Sequence, residues 1–284
     1  MTTSKFDPDW LAALQARACQ QPLRPRVPLW AGAHVIGSLL PEIIDQIGHL
    51  TTPDKRVKLL KNEHFEAGVW LVEGDLSVSL AHIADALHAA NVGHVRHHWR
   101  NEQLGVFNPS GDHLGSVERG AVRPLGIATR AVHLVGWSND GRMWVQQRAL
   151  TKSNDPGQWD TLMGGMVSAH DTLATALARE TWEEAGLHID ALQDVVKGGC
   201  VTIRRPTADA GDGGDDNGIG YVVEEIDWFD CTLPDGVAPD NQDGEVAQFK
   251  LLQIPDLIER LHNNEFTLEA ALILVAALDR EPRN

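Results

Sequence analysis

The chain has 284 residues, with 24 Lys plus Arg against 40 Asp plus Glu and a formal net charge of -16, which is enough sequence for two domains with cores of their own. So acidic a balance argues against a sequence-independent nucleic-acid binder, which needs a basic face to displace counterions from phosphates, and against an anionic membrane surface. The first ten residues hold no apolar core of signal-peptide length and the longest apolar run, 270–278, is far too short to span a bilayer, so a soluble, cytoplasmic protein is expected.

Residues 7–20 place Trp10, Leu11 and Leu14 on one side of a short helix. After Pro22, Pro25 and Pro28, short strands are expected at 27–30 and 34–38, then a helix at 41–47 with Ile43, Ile44 and Ile47 at core spacing. Residues 68–72 read as a strand. Ser77 or Ser79 is the expected cap of a helix that runs to residue 90 on Leu80, Ile83, Ala84 and Leu87. The segments 104–107 and 113–117 flank Asn-Pro-Ser-Gly-Asp and form a hairpin. Residues 1–120 are therefore expected to be a small α+β N-terminal domain. His94, His97, His98, Trp99 and Arg100 crowd together within it, but without cysteines or a carboxylate at zinc spacing. A substrate-facing place for Trp99 or Arg100 is the better expectation.

From 121 to 284 the pattern is that of a second domain. Apolar runs at 131–137 and 142–148 enclose Ser-Asn-Asp-Gly, a strong hairpin signal. A loop from Lys152 through Trp159 then delivers the chain to Gly164-Gly165. Strands are expected at 195–204 and 221–233, separated by an Asp- and Gly-rich mobile loop at 208–220 whose spacing misses the calcium-loop pattern. A further strand from 243 and helices at 255–262 and 267–278 complete an α/β (α+β) plan, a mixed sheet sandwiched between helices. Cys19, Cys200 and Cys231 show no paired spacing and read as small buried hydrophobes in a reducing compartment.

The sharpest chemical signal is the stretch 164–187, Gly-Gly-Met-Val-Ser-Ala-His-Asp-Thr-Leu-Ala-Thr-Ala-Leu-Ala-Arg-Glu-Thr-Trp-Glu-Glu-Ala-Gly-Leu. Leu173, Ala176 and Leu177 give it helical spacing and Gly186 a stop. Glu180, Glu183 and Glu184 then share one face, where each like-charge pair costs a few tenths of a kcal/mol, so a compensating cation is suggested. Oxygen donors favour Mg2+ first and Mn2+ second. The alternative is a solvated acidic face partly paired by Arg179.

Gly165, five residues, Asp171, seven residues and then Arg179-Glu180-Thr181-Trp182-Glu183-Glu184-Ala185-Gly186-Leu187 closely resembles the box of the Nudix hydrolases, which cleave nucleoside diphosphates and other diphosphates linked to a second moiety. The family pattern has Glu at the place of Asp171, here a cap or dipole partner of the helix start, and a bulky aliphatic at the place of Thr181, which should face the core beside Leu177. The resemblance implies an α/β/α sandwich and a Mg2+ ion, with Mn2+ as substitute, held by Glu180, Glu184 and the Gly164 carbonyl, with Glu183 a further ligand or the base. Arg148, Lys152, Pro156-Gly157, Asp160, Gly164-Gly165 and Asp243-Gly244-Glu245-Val246 are similar to the Nudix subgroup related to the domain accompanying thiamine pyrophosphokinase. That resemblance implies hydrolysis of thiamine diphosphate or its oxidised derivatives to the monophosphate and phosphate. Glu245 matches a downstream acid that serves as ligand or base. Arg148 and Lys152 would neutralise the diphosphate, Arg179 would orient Glu183 or Glu184, and Trp159 or Trp99 would stack on an aromatic substrate. The partner is then a small-molecule diphosphate, with neither nucleic acid nor membrane, and a homodimer is compatible with it. Three rivals stand beside this reading: a nucleoside-diphosphate-linked substrate such as ADP-ribose, a non-catalytic diphosphate sensor, and an isopentenyl diphosphate isomerase. The sensor has no need of the full carboxylate set, and the isomerase needs a cysteine ahead of the acidic helix, where only Cys19 stands.

Overall fold

The computed structural model describes residues 5–47, 57–60, 69–207 and 218–280. The expected loop at 208–220 lies outside the described residues except for its last three.

The first unit is built on a four-stranded sheet. β1 (Val27–Ala31), β2 (His34–Leu39), β3 (Val57–Leu60) and β4 (Val69–Val72) are ordered β2-β1-β4-β3, with β1 parallel to β4 and the other pairs antiparallel. The helices α1 (Pro8–Ala18), α2 (Pro41–Ile47) and α3 (Leu76–Ala90) precede, interrupt and follow it, and the short α4 (Val95–His98) leads into a hairpin of β5 (Gln103–Phe107) and β6 (His113–Glu118). Leu29, Leu39, Ile43, Ile83, Leu87, Val106 and Val117 share one core. The expected serine caps give way to Asp75, whose carboxylate accepts the Val78 N–H at 2.9 Å. Ser77 and Ser79 are spent elsewhere: the Ser77 hydroxyl accepts the Ser116 N–H at 3.0 Å, and Ser79 donates to the Glu73 carbonyl at 2.8 Å. A hydroxyl one turn inside a helix is free to bond other partners, and the aspartate before it takes the orphan amide.

The second unit contains β7 (Thr129–Ser138), β8 (Met143–Arg148), β9 (Trp159–Asp160), β10 (Met163–Met166), α5 (Leu173–Ala185), β11 (Gln193–Pro206), β12 (Tyr221–Leu233), β13 (Val246–Leu252), α6 (Ile254–His262) and α7 (Leu268–Asp279). Five strands run in the order β11-β12-β7-β8-β13, with β10 added on β7 and β9 on β8. Among the described strands of this sheet, only β12 and β7 pair in parallel. Side chains alternate across a strand, so β7 sorts the core in two. Val132 and Leu134 pack with Leu162, Ala176, Leu177 and Ala185 under α5. Ala131 and Val135 pack with Ile226, Trp228, Leu257, Leu261, Ile273 and Leu274 on the face covered by α6 and α7. Full burial of each large apolar side chain contributes about 1.5–3 kcal/mol, which makes the mixed sheet between helices the stable arrangement.

Phe6 and Leu14 bring α1 into this second core, against α7 and β11, although the chain enters the first sheet directly afterwards. The two units are also pinned by Arg26, whose guanidinium donates to the carbonyls of Ser38, Pro124 and Ile219 at 2.5–2.7 Å. No helix among the described residues is long and apolar enough to cross a membrane.

Candidate active site

The helix α5 starts on a reciprocal cap: the Thr172 hydroxyl accepts the Thr175 N–H at 3.1 Å, and the Thr175 hydroxyl accepts the Thr172 N–H at 2.8 Å. It ends at Gly186, whose φ of 63° puts it in the left-handed region where glycine carries no Cβ penalty. Because Thr172 does the capping, Asp171 is left to accept from Arg179 Nη2 at 2.9 Å and from the Ser168 hydroxyl at 3.1 Å. Thr181 faces the core and donates its hydroxyl to the Leu177 carbonyl at 2.6 Å.

Arg179 is the hub of the acidic face. Its Nη1 donates to Glu180 at 2.8 Å and to Glu183 at 3.0 Å, while Nε and Nη2 grip Asp171. It therefore contacts Glu183, and Glu180 with it, but not Glu184. Glu184 is buried, and one of its oxygens accepts from Gln146 Nε2 at 2.8 Å and from the Gly164 N–H at 3.0 Å. Burial pushes the Glu184 carboxyl up to about 8 in spite of those two bonds, and pushes Glu180 up to about 6 against the pull of Arg179.

The glycine pair has a steric reason. In β10, Gly164 lies opposite His133 and Gly165 opposite Val132. A Cβ on Gly165 would stand 2.1 Å from Glu180 Cδ, and one on Gly164 would stand 2.4 Å from the His133 ring. His133 is held through Nδ1, 2.9 Å from the Thr161 hydroxyl. That hydroxyl donates to the Met163 carbonyl at 2.8 Å, so towards the histidine it can only accept, which assigns the proton to Nδ1 and leaves Nε2 a lone pair. Burial lowers the His133 pKa and keeps the ring neutral.

These groups line one cavity of about 920 Å³, together with Arg148, Lys152, Asp160 and Glu245. Lys152 is ion-paired with Glu245, and Arg148 stands 3.5 Å from Asp160 while donating to the Asn154 carbonyl at 3.1 Å. The expected strand from 243 starts instead at Val246, because the Asp243 carboxylate accepts the Glu245 N–H at 2.8 Å in a tight turn. That turn delivers Glu245 to Lys152.

Every expected site residue but Trp159, Trp99 and Arg100 lines the cavity. Trp159 is 7% exposed and packed in the core, with the Arg260 guanidinium 5.5 Å over its ring. Its N–H donates to the Glu265 carbonyl and its own carbonyl accepts from Thr267, both at 2.9 Å, so β9 is fixed with Asp160 in the cavity and Trp159 in the core. Trp99 packs its ring against His88, and Arg100 donates to the carbonyls of His97 and Trp99; neither lines the cavity. Cys19 and Cys200 are exposed, and only Cys231 is the small buried hydrophobe expected of all three. Gln146, His133, Arg123, Arg205, Glu224 and Glu269 belong to or support the cavity and carry no local sequence motif.

The donor set suits a divalent cation in kind. Its carboxylates offer oxygen ligands, Gly165 leaves room for Glu180, and burial raises two of the carboxyls, Glu180 in spite of Arg179. Among the described residues no three such groups already converge, because Arg179 draws Glu180 and Glu183 while Glu184 turns to Gln146 and Gly164. What Gly164 supplies in this arrangement is its N–H.

Comparison with known proteins agrees with this geometry. The chain is 29% identical over 189 residues to the uncharacterized protein YJR142W of Saccharomyces cerevisiae, covering 64% of this chain and 55% of that one. It is 26% identical over 163 residues to Nudix hydrolase 24, chloroplastic, of Arabidopsis thaliana, covering 56% of this chain and 42% of that one. It thus spans about half the length of these relatives. An isopentenyl-diphosphate Delta-isomerase of Streptomyces avermitilis is 31% identical over 109 residues, 38% of this chain and 54% of that one. Among solved structures, DR0079 from Deinococcus radiodurans superposes with a TM-score of 0.48 at 21% identity, over 63% of this chain and all of that one. The NUDIX domain model matches residues 128–272, just over half of the chain and the whole of the span from β7 into α7, and with its box folded as the loop and helix around Glu180 and Glu184, the chain belongs to the Nudix family.

Proposed function

We propose that the chain hydrolyses a diphosphate linkage with the help of a divalent cation, Mg2+ or Mn2+. The observation that carries this reading is that Glu180, Glu183, Glu184 and Glu245 line one cavity together with Arg148 and Lys152. Glu180 and Glu184 would hold the ion, with Glu183 beside them and the Gly164 carbonyl within the same loop. When bound, such an ion polarises a phosphoryl oxygen and lowers the pKa of water. The chain's own residues do the rest. Arg148 and Lys152 neutralise the phosphate oxygens. Glu183, half-exposed and oriented by Arg179, or Glu245, half-exposed and paired with Lys152, accepts the proton of the attacking water. Arg179 holds the acids apart from one another's repulsion and touches no substrate.

The substrate this reading favours is thiamine diphosphate or one of its oxidised derivatives, cleaved to the monophosphate and phosphate. Support comes from the residues of the subgroup resemblance: Arg148, Lys152, Pro156, Asp160, Gly164, Gly165, Asp243 and Glu245, scattered over nearly one hundred positions, line the cavity, while Gly157, Gly244 and Val246 of the same set do not. The isomerase reading lacks its nucleophile, since no cysteine among the described residues lines it.

Product release by purified protein with Mg2+, read by chromatography so that phosphate, pyrophosphate, AMP and ribose 5-phosphate are all seen, tests the proposal across thiamine diphosphate, its oxidised forms, ADP-ribose and nucleoside triphosphates, with Glu184→Gln as control. Preferential release from the thiamine compounds is expected. Release from ADP-ribose instead would discard the thiamine substrate and keep the hydrolase. Silence across the panel would favour a diphosphate sensor.

A further inference from the structure

The cavity has a second end that the hydrolytic groups do not use. On β7, Ala131 and His133 both line it, and Thr129 on the same face pairs with Glu224 of β12. At about 3.3 Å per residue, Thr129 lies roughly 13 Å along the strand from His133, which faces Gly164. Around Glu224 the cavity is lined by Arg123, just before β7, Arg205, near the end of β11, and Glu269, in the first turn of α7. Four separate stretches of chain meet there.

Part of their hydrogen-bonding capacity is unspent. Arg205 Nε is buried without a partner among the described residues, and Nη2 of the same guanidinium stands 3.9 Å from Glu269, outside hydrogen-bond reach. Glu224 accepts one bond, from the Thr129 hydroxyl at 3.2 Å. Leaving a buried donor unmade costs about 1–3 kcal/mol, so a fold that gathers these groups without satisfying them is arranged for something that does. The mixture of signs restricts what that is. A second anion would meet Glu224 and Glu269, and a cation would meet Arg123 and Arg205. An uncharged group with donors and acceptors side by side meets both pairs. Between the two ends the cavity is lined by Ala131, whose methyl group suits the face of a flat ring and offers nothing to a run of hydroxyls, and Val222 lines it one pleat beyond Glu224 on β12.

We propose that Arg123, Arg205, Glu224 and Glu269 form the specificity end of the cavity, binding the edge of an uncharged nitrogen heterocycle joined to the diphosphate that is held at the glutamates. The guanidinium groups donate to ring nitrogens or carbonyls, and the carboxyl groups accept from an exocyclic amine. Burial raises Glu269 to about 7, with Glu224 adding to the shift, so near neutral pH its carboxyl both donates and accepts. The proposal rests on the diphosphate reading above for the orientation of the ligand.

Calorimetric titration with Ca2+ in place of Mg2+, so that no anhydride is cleaved during the titration, tests it on three probes: inorganic pyrophosphate, methyl diphosphate and oxidised, uncharged thiamine diphosphate. The wild type is expected to bind the heterocyclic diphosphate 10- to 100-fold more tightly than the other two. Arg205→Met and Glu269→Leu are each expected to abolish that margin while leaving pyrophosphate affinity within twofold, which also certifies their fold. Arg205→Lys is expected to restore part of it. The proposal is overturned if the wild type shows no margin, or if both variants keep it, or if they lose pyrophosphate affinity to the same degree. Because binding is read apart from turnover, a preserved margin with no hydrolysis would sink the catalytic reading alone.

Discussion

Replacing Glu184 by Gln separates what the site costs the fold from what it gives the chemistry. The Glu184 carboxyl titrates at about 8 against 4.5 for a free glutamate, with burial the leading cause. At about 1.4 kcal/mol per pKa unit, keeping it protonated in the folded, metal-free protein at pH 7, where the unfolded chain's glutamate is ionised, costs on the order of 3 kcal/mol. The sign follows from the raised value: the native state holds the proton more tightly than the unfolded chain, so stability is greatest below pH 4.5 and is lost as pH rises to 8. Glu180 and Glu269, at about 6 and about 7, add to the slope below neutrality, so above pH 7 Glu184 dominates it. In the Glu184→Gln variant the new amide oxygen can still accept from Gln146 and from the Gly164 N–H, because both now converge on a single oxygen. In EDTA at pH 7–8, Glu184→Gln is therefore expected to be more stable by about 1–3 kcal/mol, which is a rise of several degrees in melting temperature at about 2–4 °C per kcal/mol. Its pH profile above 7 should be nearly flat. Added Mg2+ should stabilise the wild type by mass action and the variant much less, reversing or closing the gap. Turnover should fall by several orders of magnitude. A variant that melts below the wild type in EDTA, or a wild type with no slope between pH 6 and 8, would refute the assignment of Glu184 as a buried carboxylate awaiting a cation.

Gly165→Ala should drive the Glu180 carboxyl from its place, since the new Cβ would stand 2.1 Å from Cδ; a loss of turnover of about 100-fold or more is expected with about 1–2 kcal/mol of stability, checked by steady-state kinetics beside thermal melts. Lys152→Met frees Glu245 and removes a cation from the cavity, so KM for a diphosphate should rise by about tenfold, with each lost charge-assisted bond worth about 1.5–3 kcal/mol; an unchanged KM would place Lys152 outside the substrate's reach. Thr172→Ala removes the cap of α5 and should cost about 1 kcal/mol, read as a lower denaturation midpoint with kcat close to that of the wild type.

Local chemistry was legible in the sequence where a few neighbouring residues carry it. Thr172 and Gly186 bound α5, Asp-Gly at 140–141 turns β7 into β8, and the acidic face follows from the spacing of Glu180, Glu183 and Glu184. The helices α2, α6 and α7 follow from periodicity in the same way. The two-residue β9 and the glycine-bearing β10 are too short and too poor in side chains to show a strand pattern, and they exist because β8 and β7 offer open edges to them.

Which acid takes which partner was decided in three dimensions. Arg179 and its three carboxylates lie within one stretch, but Glu184 is held by Gln146 from 38 residues away, and Arg205 meets Glu269 from the far side of β12. Trp159, expected in the cavity, is in the core because its backbone is paired with the chain before α7. The helix α1 leaves its sequence neighbours to bury Phe6 and Leu14 on the second sheet. Propensities and caps act within a turn or two of chain, and those the sequence settles by itself. Burial and long-range pairing depend on which surfaces the completed sheet leaves to be covered, and only the assembled fold fixes those.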